Sequence, residues 1–253
     1  MLSVLMVLTL VVCGAAQGAP ALTRKVLAYQ PQGGMARDIA FYRDGMEIAR
    51  LELDAEGKTV RLTGKLQDGV YSEYYDSGKL KREISYRGGR RDGPAKSYYE
   101  KGKLRDSCGY VKEQCDGACS SYYEDGSLSE EYVCRKGRIE GQFKNYYLGG
   151  KLKSDAAYAA GQPNGVTRGY SREGVLLEEL SFKDGRKNGP AKLYTEDGKL
   201  RLDGNFYDDL PDGFFRSYYS SGKLMYEDEY KKGRRVSRKS YTSGGKLSYE
   251  THD

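Results

Sequence analysis

One glycine recurs at a fixed step through most of this chain, and that period limits the fold more than any other feature. Gly78, Gly102, Gly126, Gly150, Gly174, Gly198, Gly222 and Gly245 are separated by 24 residues six times and by 23 once. Each belongs to a copy of Tyr-Tyr-x-x-Gly-Lys-Leu. Close copies begin at Tyr74, Tyr98, Tyr122, Tyr146 and Tyr218, and looser ones contain Tyr170, Tyr194 and Tyr241. A second glycine keeps the same step from Gly69 through Gly93, Gly117, Gly141, Gly165 and Gly189 to Gly213. A third lies four residues before several of these, at Gly89, Gly137, Gly161 and Gly185. A fixed period of this size marks a repeat architecture, in which each unit buries its apolar side only against its neighbours.

The unit reads as a β-hairpin. After each turn glycine, apolar residues fall at even steps, as in Leu80, Ile84 and Tyr86 or Leu176, Leu180 and Phe182, with polar residues such as Lys81, Glu83 and Ser85 between them. Period two describes a half-buried strand, because successive side chains point to opposite faces. Asp92-Gly93, Asp116-Gly117, Asn164-Gly165, Asn188-Gly189 and Asp212-Gly213 mark expected turns at the strand ends. Cys115 then falls in a turn region. No helical stripe of useful length follows residue 22, so the fold class is all-β. The expected form is an elongated single-layer antiparallel sheet of tandem hairpins, about eight in number. Phe41-Tyr42 with Gly45, and Gly57-Lys58, look like degenerate copies, as terminal repeats often are.

With Tyr-Tyr-x-x-Gly-Lys-Leu and the Gly-x-x-x-Gly loop at this period, residues 54 to 250 resemble the variant MORN repeat. That family includes bacterial proteins labelled as MORN-variant antitoxins. The resemblance implies a solenoid-like sheet that serves as a binding platform without catalysis. Antitoxin-like neutralisation of a toxin is a further reading it implies, and one that belongs to cytoplasmic proteins.

Composition agrees with a thin sheet rather than a deep core. Leu, Ile, Val and Phe together make under a fifth of the 253 residues, charged residues make 31%, and there are 24 tyrosines. Tyrosine favours strands and tolerates a wet phenolic end. The net charge of +6 is spread with both signs mixed. The run from Leu2 to Val12, followed by Gly14-Ala15-Ala16-Gln17-Gly18, fits a signal peptide and is too short to span a membrane. Cys13 gives a weaker lipoprotein-like alternative. The expected organisation is a signal peptide over 1–18, an N-terminal segment with a degenerate repeat over 19–53, and tandem repeats over 54–253.

Little in the chain points to catalysis. The one histidine, His252, is second from the end, so triads and histidine metal sites have no support. No cofactor is expected: the glycines lack the strand-loop-helix context of a phosphate loop. Cys108, Cys115, Cys119 and Cys134 are disulfide candidates, with three pairings open. Cys108 and Cys134 occupy apolar second-strand positions, equivalent to Ile84 and Tyr86, and Cys119 matches Ala95. A four-thiolate zinc site is the rival reading, and the spacing lacks the paired C-x2-C knuckles typical of one. The candidate interaction surface comprises Tyr74, Tyr98, Tyr122, Tyr146 and Tyr218, with one tyrosine of each pair expected to point outward, and the basic run Lys231, Lys232, Arg234, Arg235, Arg238 and Lys239. A protein partner is the leading expectation. An anionic membrane or envelope polysaccharide is the alternative, and nucleic acid is disfavoured.

Overall fold

The computed structural model describes residues 21–30 and 36–252. Regular structure in them is all strand, with no helix among the described residues, hence none long and apolar enough to cross a membrane. The expected signal segment and Cys13 lie outside the described residues. The chain divides into two compact units, Met1–Gly64 and Lys65–Asp253.

In the first unit, β1 (Leu22–Tyr29), β2 (Ala36–Arg43), β3 (Met46–Leu53) and β4 (Thr59–Gly64) form an antiparallel meander. Alternation along β2 and β3 buries Ile39 and Phe41 against Leu51 and Ala49, their register partners. Both degenerate motifs are turns. Asp44 and Gly45 have positive φ between β2 and β3, and the N–H of Gly57 donates to the Asp54 carbonyl at 3.1 Å between β3 and β4.

The second unit is a meander of β5 (Gly69–Tyr74), β6 (Leu80–Arg87), β7 (Arg90–Tyr98), β8 (Leu104–Val111), β9 (Gln114–Tyr122), β10 (Leu128–Arg135), β11 (Arg138–Tyr146), β12 (Leu152–Ala159) and β13 (Gln162–Tyr170). It goes on through β14 (Leu176–Lys183), β15 (Arg186–Tyr194), β16 (Leu200–Tyr207), β17 (Leu210–Pro211), β18 (Gly213–Tyr218), β19 (Leu224–Lys231), β20 (Arg234–Tyr241) and β21 (Leu247–His252). Apart from the fragment β17, which shares β16 as partner with β18, every strand of this unit pairs antiparallel with the next. The expected all-β sheet of consecutive hairpins is what forms.

Two kinds of turn alternate. At one end, Tyr75-Asp76-Ser77-Gly78 closes with Gly78 N–H to Tyr75 O at 2.9 Å and Tyr75 N–H to Lys79 O at 2.8 Å, and the Tyr-Tyr-x-x-Gly motif repeats this down the sheet. At the other end, two residues with positive φ make the turn, as at Gly88-Gly89 and Lys136-Gly137. Left-handed pairs of this kind match the twist of a hairpin.

The Asx-Gly pairs correct the sequence reading. Asp92-Gly93, Asp116-Gly117, Asn164-Gly165 and Asn188-Gly189 lie inside β7, β9, β13 and β15 at register shifts, where they form bulges rather than turns. Cys115 therefore sits in β9, not in a turn. The glycine is needed because its φ is positive (115° at Gly93) and because a Cβ there would come within 2.9 Å of the Ser85 Cβ on β6. The neighbouring aspartate reaches forward: Asp116 Oδ2 accepts from the turn N–H of Lys136 at 3.1 Å, and Asp212 Oδ1 from that of Lys232 at 3.2 Å. The backbone adds a second stitch, Gly137 N–H to Cys115 O at 2.8 Å. Each turn is thus tied to the hairpin before it.

Side-chain alternation gives the second unit one apolar face. A column runs across its middle through Tyr71, Ile84, Ala95, Cys108, Cys119 and Tyr132, each opposite the next in register. It continues through Phe143, Ala156, Thr167, Leu180, Ala191 and Gly204 to Phe215. Large and small residues are mixed along it, so rings cover gaps. Tyr132 stacks on Phe143 at 5.3 Å, and Phe215 lies 5.3 Å from both Phe206 and Tyr230. Gly204 is the extreme case, since a Cβ there would overlap the Phe215 ring. The column ends on a charged pair, Asp228 opposite Arg238.

Candidate functional site: the polar face and the cysteine hairpins

The opposite face carries a ladder of alternating charge. Glu83 faces Lys96, Glu131 faces Lys144, and Lys144 faces Asp155. Asp155 faces Arg168, Arg168 faces Glu179, and the alternation continues through Lys192, Asp203, Arg216, Glu227 and Lys239 to Glu250. Opposite charges directly across a strand pair stabilise a sheet. Several close to ion pairs: Lys144–Glu131 at 3.1 Å, Arg168–Glu179 at 2.9 Å and Arg216–Glu227 at 2.7 Å. Hydrogen bonds from Tyr146 and Lys144 hold the Glu131 carboxyl below its ordinary range. One interruption occurs, at Ser107 opposite Ser120, back to back with Cys108 and Cys119.

The tyrosines join this ladder. In three of the five pairs the first tyrosine donates its hydroxyl to an acid 15 residues earlier: Tyr98 to Glu83 at 2.6 Å, Tyr146 to Glu131 at 2.7 Å and Tyr218 to Asp203 at 2.6 Å. Burial first, and the bonded carboxylate second, push each of these phenols up to about 12. The second tyrosine spans to the next repeat: Tyr75 donates to the Tyr98 carbonyl, Tyr99 to that of Tyr122, and Tyr123 to that of Tyr146, each at 2.7 Å. Tyr98, Tyr122, Tyr146 and Tyr218 are half-buried, while Tyr74 is 51% exposed. Sequence reasoning missed both bonds. The signal was an acid recurring at Glu83, Glu131, Asp155, Glu179 and Asp203, in step with the tyrosines.

The basic run is divided between the faces. Register places Arg235 opposite Tyr230 and Arg238 opposite Asp228 on the apolar face, with Arg234 opposite Lys231 and Lys239 opposite Glu227 on the polar one. Arg238 grips the buried Asp228 with two bonds of 2.6 and 2.7 Å, and that partner raises the guanidinium pKa above its ordinary value. Lys231 meets Glu229 at 3.2 Å and Lys239 meets Glu250 at 4.0 Å. Lys232 and Arg234 are exposed on the last tight turn.

The four candidate cysteines do come together. Cys108 and Cys119 face each other across β8 and β9 and are linked, with Cα atoms 4.2 Å apart; Cys115 and Cys134 link β9 to β10, with Cα atoms 5.7 Å apart. Two pairs at disulfide distance accord with an oxidising environment. Cys119 and Cys134 are buried on the apolar face. His252, on the last strand, is exposed and lies 3.7 Å from Glu250.

A family model for the MORN repeat variant matches residues 67–87, 91–112, 139–159 and 211–232. The chain carries MORN-variant repeats. The matched segments make about a third of its length, and the intervening MORN-like hairpins follow the same register. MORN repeats are generally non-catalytic, and the chain is a repeat scaffold in that broad sense. Comparison with curated proteins gives no match. Among solved structures, a crystal structure of TcdB2-TccC3-TEV is 11% identical with a TM-score of 0.21, covering 87% of this chain and 16% of that one. A crystal structure of TcdB2-TccC3-Cdc42 is 10% identical with a TM-score of 0.19, covering 90% and 16%. This chain thus spans about a sixth of the length of those chains, and scores this low carry no weight for fold or function.

Proposed function

We propose that this MORN-variant chain is a non-catalytic scaffold that mediates protein–protein interaction in the cell envelope or the extracellular space. The observation that carries the reading is the polar face. The same acid, base and tyrosine chemistry recurs on it at a spacing of two strands, roughly 10 Å, with one gap at Ser107 and Ser120. A partner with matching periodic charge gains from many weak contacts at once. Strand alternation keeps those charges off the apolar column, so the display is rigid and repeated. The perturbed groups on this face fit display rather than chemistry: Tyr98 is raised by burial and a bonded acid, and Arg168 and Arg216 are raised, against the opposing effect of burial, by a bonded acid on the neighbouring strand. Export is supported by the leader-like segment and the two cysteine pairs.

The test is capture of partners from an envelope extract on the immobilised mature chain, washed at low and then high salt. The scaffold reading expects one protein retained stoichiometrically, and lost when Lys144 and Arg168 are both changed to Glu. Binding confined to lipid or polysaccharide, and abolished by salt, would contradict it and shift function to Lys232 and Arg234. A captured toxin whose activity the chain inhibits would replace the scaffold with the antitoxin-like reading.

A further inference from the structure

The cysteine hairpins differ from every other hairpin at three neighbouring places. Sulfur replaces the apolar pair seen at Ile84 and Ala95 or Leu180 and Ala191. Ser107 and Ser120 replace the charged rungs on the reverse face. Gly109 stands where the other repeats carry Ser85, Val133, Ala157, Ser181, Asn205 or Glu229. A Cβ at Gly109 would lie 2.5 Å from the Asp116 carbonyl oxygen, so this glycine lets the bulge of β9 close on β8 and bring Cys115 inward. As a result three of the sulfurs form one group and the fourth is bonded to it, in place of two separate bridges. Cys115 Sγ is 3.1 Å from Cys108 Sγ and 3.3 Å from Cys119 Sγ, and Cys134 is bonded to Cys115. The sulfurs of Cys108, Cys115 and Cys119 all fall within 4.8 Å of one another.

We propose that this group is a redox-gated metal site: oxidised, it holds two disulfides, and reduced, its four thiolates bind one soft divalent cation of the zinc type. Four sulfurs at about 2.3 Å from a tetrahedral zinc are about 3.8 Å apart. On reduction the Cys115 contacts to Cys108 and Cys119 therefore open by roughly half an ångström, the former disulfides open further, and the Cys134 sulfur swings in towards the other three. The ligands come from three adjacent strands, and the stitch from Gly137 N–H to Cys115 O holds β9 to the following turn in either state. The chemistry balances. Each disulfide takes two electrons from a thiol or phosphine reductant, with two protons from that thiol or from water, and the four thiols release four protons as the dication binds. Thiolate ligands select zinc, and cobalt(II) serves as its coloured substitute. The missing C-x2-C knuckles do not oppose such a site here. Knuckles supply ligands from one tight turn, whereas strand register supplies these.

The experiment uses the full mature chain, reduced with a phosphine under anaerobic conditions and titrated with cobalt(II). The proposal expects the absorption bands of tetrahedral cobalt with sulfur-to-metal charge transfer, saturating at one cobalt per chain. It expects zinc to bleach them, and the oxidised chain to show none. Cys134→Ser, which leaves the other three sulfurs in place, must lose the four-sulfur spectrum. The reduced wild-type chain provides the readout that does not depend on any variant folding, since metal binding that drives folding would still give the bands. Absence of tetrahedral bands in that sample overturns the proposal. So does a spectrum unchanged in Cys134→Ser.

Discussion

The hairpins around Leu180 and those around Cys108 occupy the same register and are held in different ways. From β13 to β16, Leu180 packs between Thr167 and Ala191, Phe215 covers Gly204, and the charge ladder runs unbroken on the reverse face. Across β8 and β9, sulfur fills the apolar column and serines stand in the ladder, and Tyr132 and Glu131 resume both on β10. A single-layer sheet has little apolar area to bury, so each rung needs a neighbour that completes it. Where the aromatic cover and the charge pair are both missing, the covalent links supply the constraint. The second unit is therefore a series of nearest-neighbour solutions rather than one core. The Asp228–Arg238 rung near its end is a third solution, ionic in place of apolar.

Substitutions separate these solutions. Changing Cys115 and Cys134 together to Ser opens a link of sequence separation 19. The expected loss is about 3 kcal/mol of local stability, seen as a lowered first transition in thermal melts. A loss within error would mean that the cysteine hairpins hold without sulfur. Phe215→Ala should cost about 2–3 kcal/mol, less than for a fully buried ring because this one is half-buried. Proteolysis should then begin between β16 and β19. Asp228→Ala strands Arg238 on the apolar face and should cost about 2 kcal/mol, while the double change with Arg238→Met should recover most of it. No recovery would show that the pair is not what closes the column. The smallest effect is a gain: Ser107→Glu with Ser120→Lys rebuilds the missing rung and should add about 0.5 kcal/mol in denaturant titrations.

The tyrosines give the ladder a pH signature. Tyr98, Tyr146 and Tyr218 are raised from 10.0 to about 12 in the folded chain, so the folded state favours the neutral phenol. The stability they contribute is fully present below about pH 10 and is lost as pH rises from about 10 towards 12. Phenolate absorbance should show these groups titrating late, and Tyr98→Phe should shorten that late phase. A single titration near 10 for all tyrosines would contradict the Tyr–acid bonds.

Much of this was legible in the sequence, because the 24-residue step fixes equivalent positions without any structure. Ile84, Cys108 and Leu180 share one side of the sheet by period two alone, as do Ala95 and Cys119. The Asx-Gly pairs misled because a glycine with positive φ suits a bulge as well as a turn. The actual turns include Lys112-Glu113 and Asp208-Asp209, which contain no glycine and adopt positive φ because the hairpin twist requires it. The charge ladder was hidden for a different reason. Glu131, Lys144 and Asp155 are 13 and 11 residues apart, and only the register of the bulged strands makes them consecutive rungs. The disulfide pairing depended on that same register.

Native-state hydrogen exchange along the second unit, compared before and after reduction, tests the nearest-neighbour account most directly. The account predicts that amides of β8 to β10 lose protection on reduction while those of β13 to β16 keep theirs. Uniform loss across all these strands would contradict it and show a single cooperative unit.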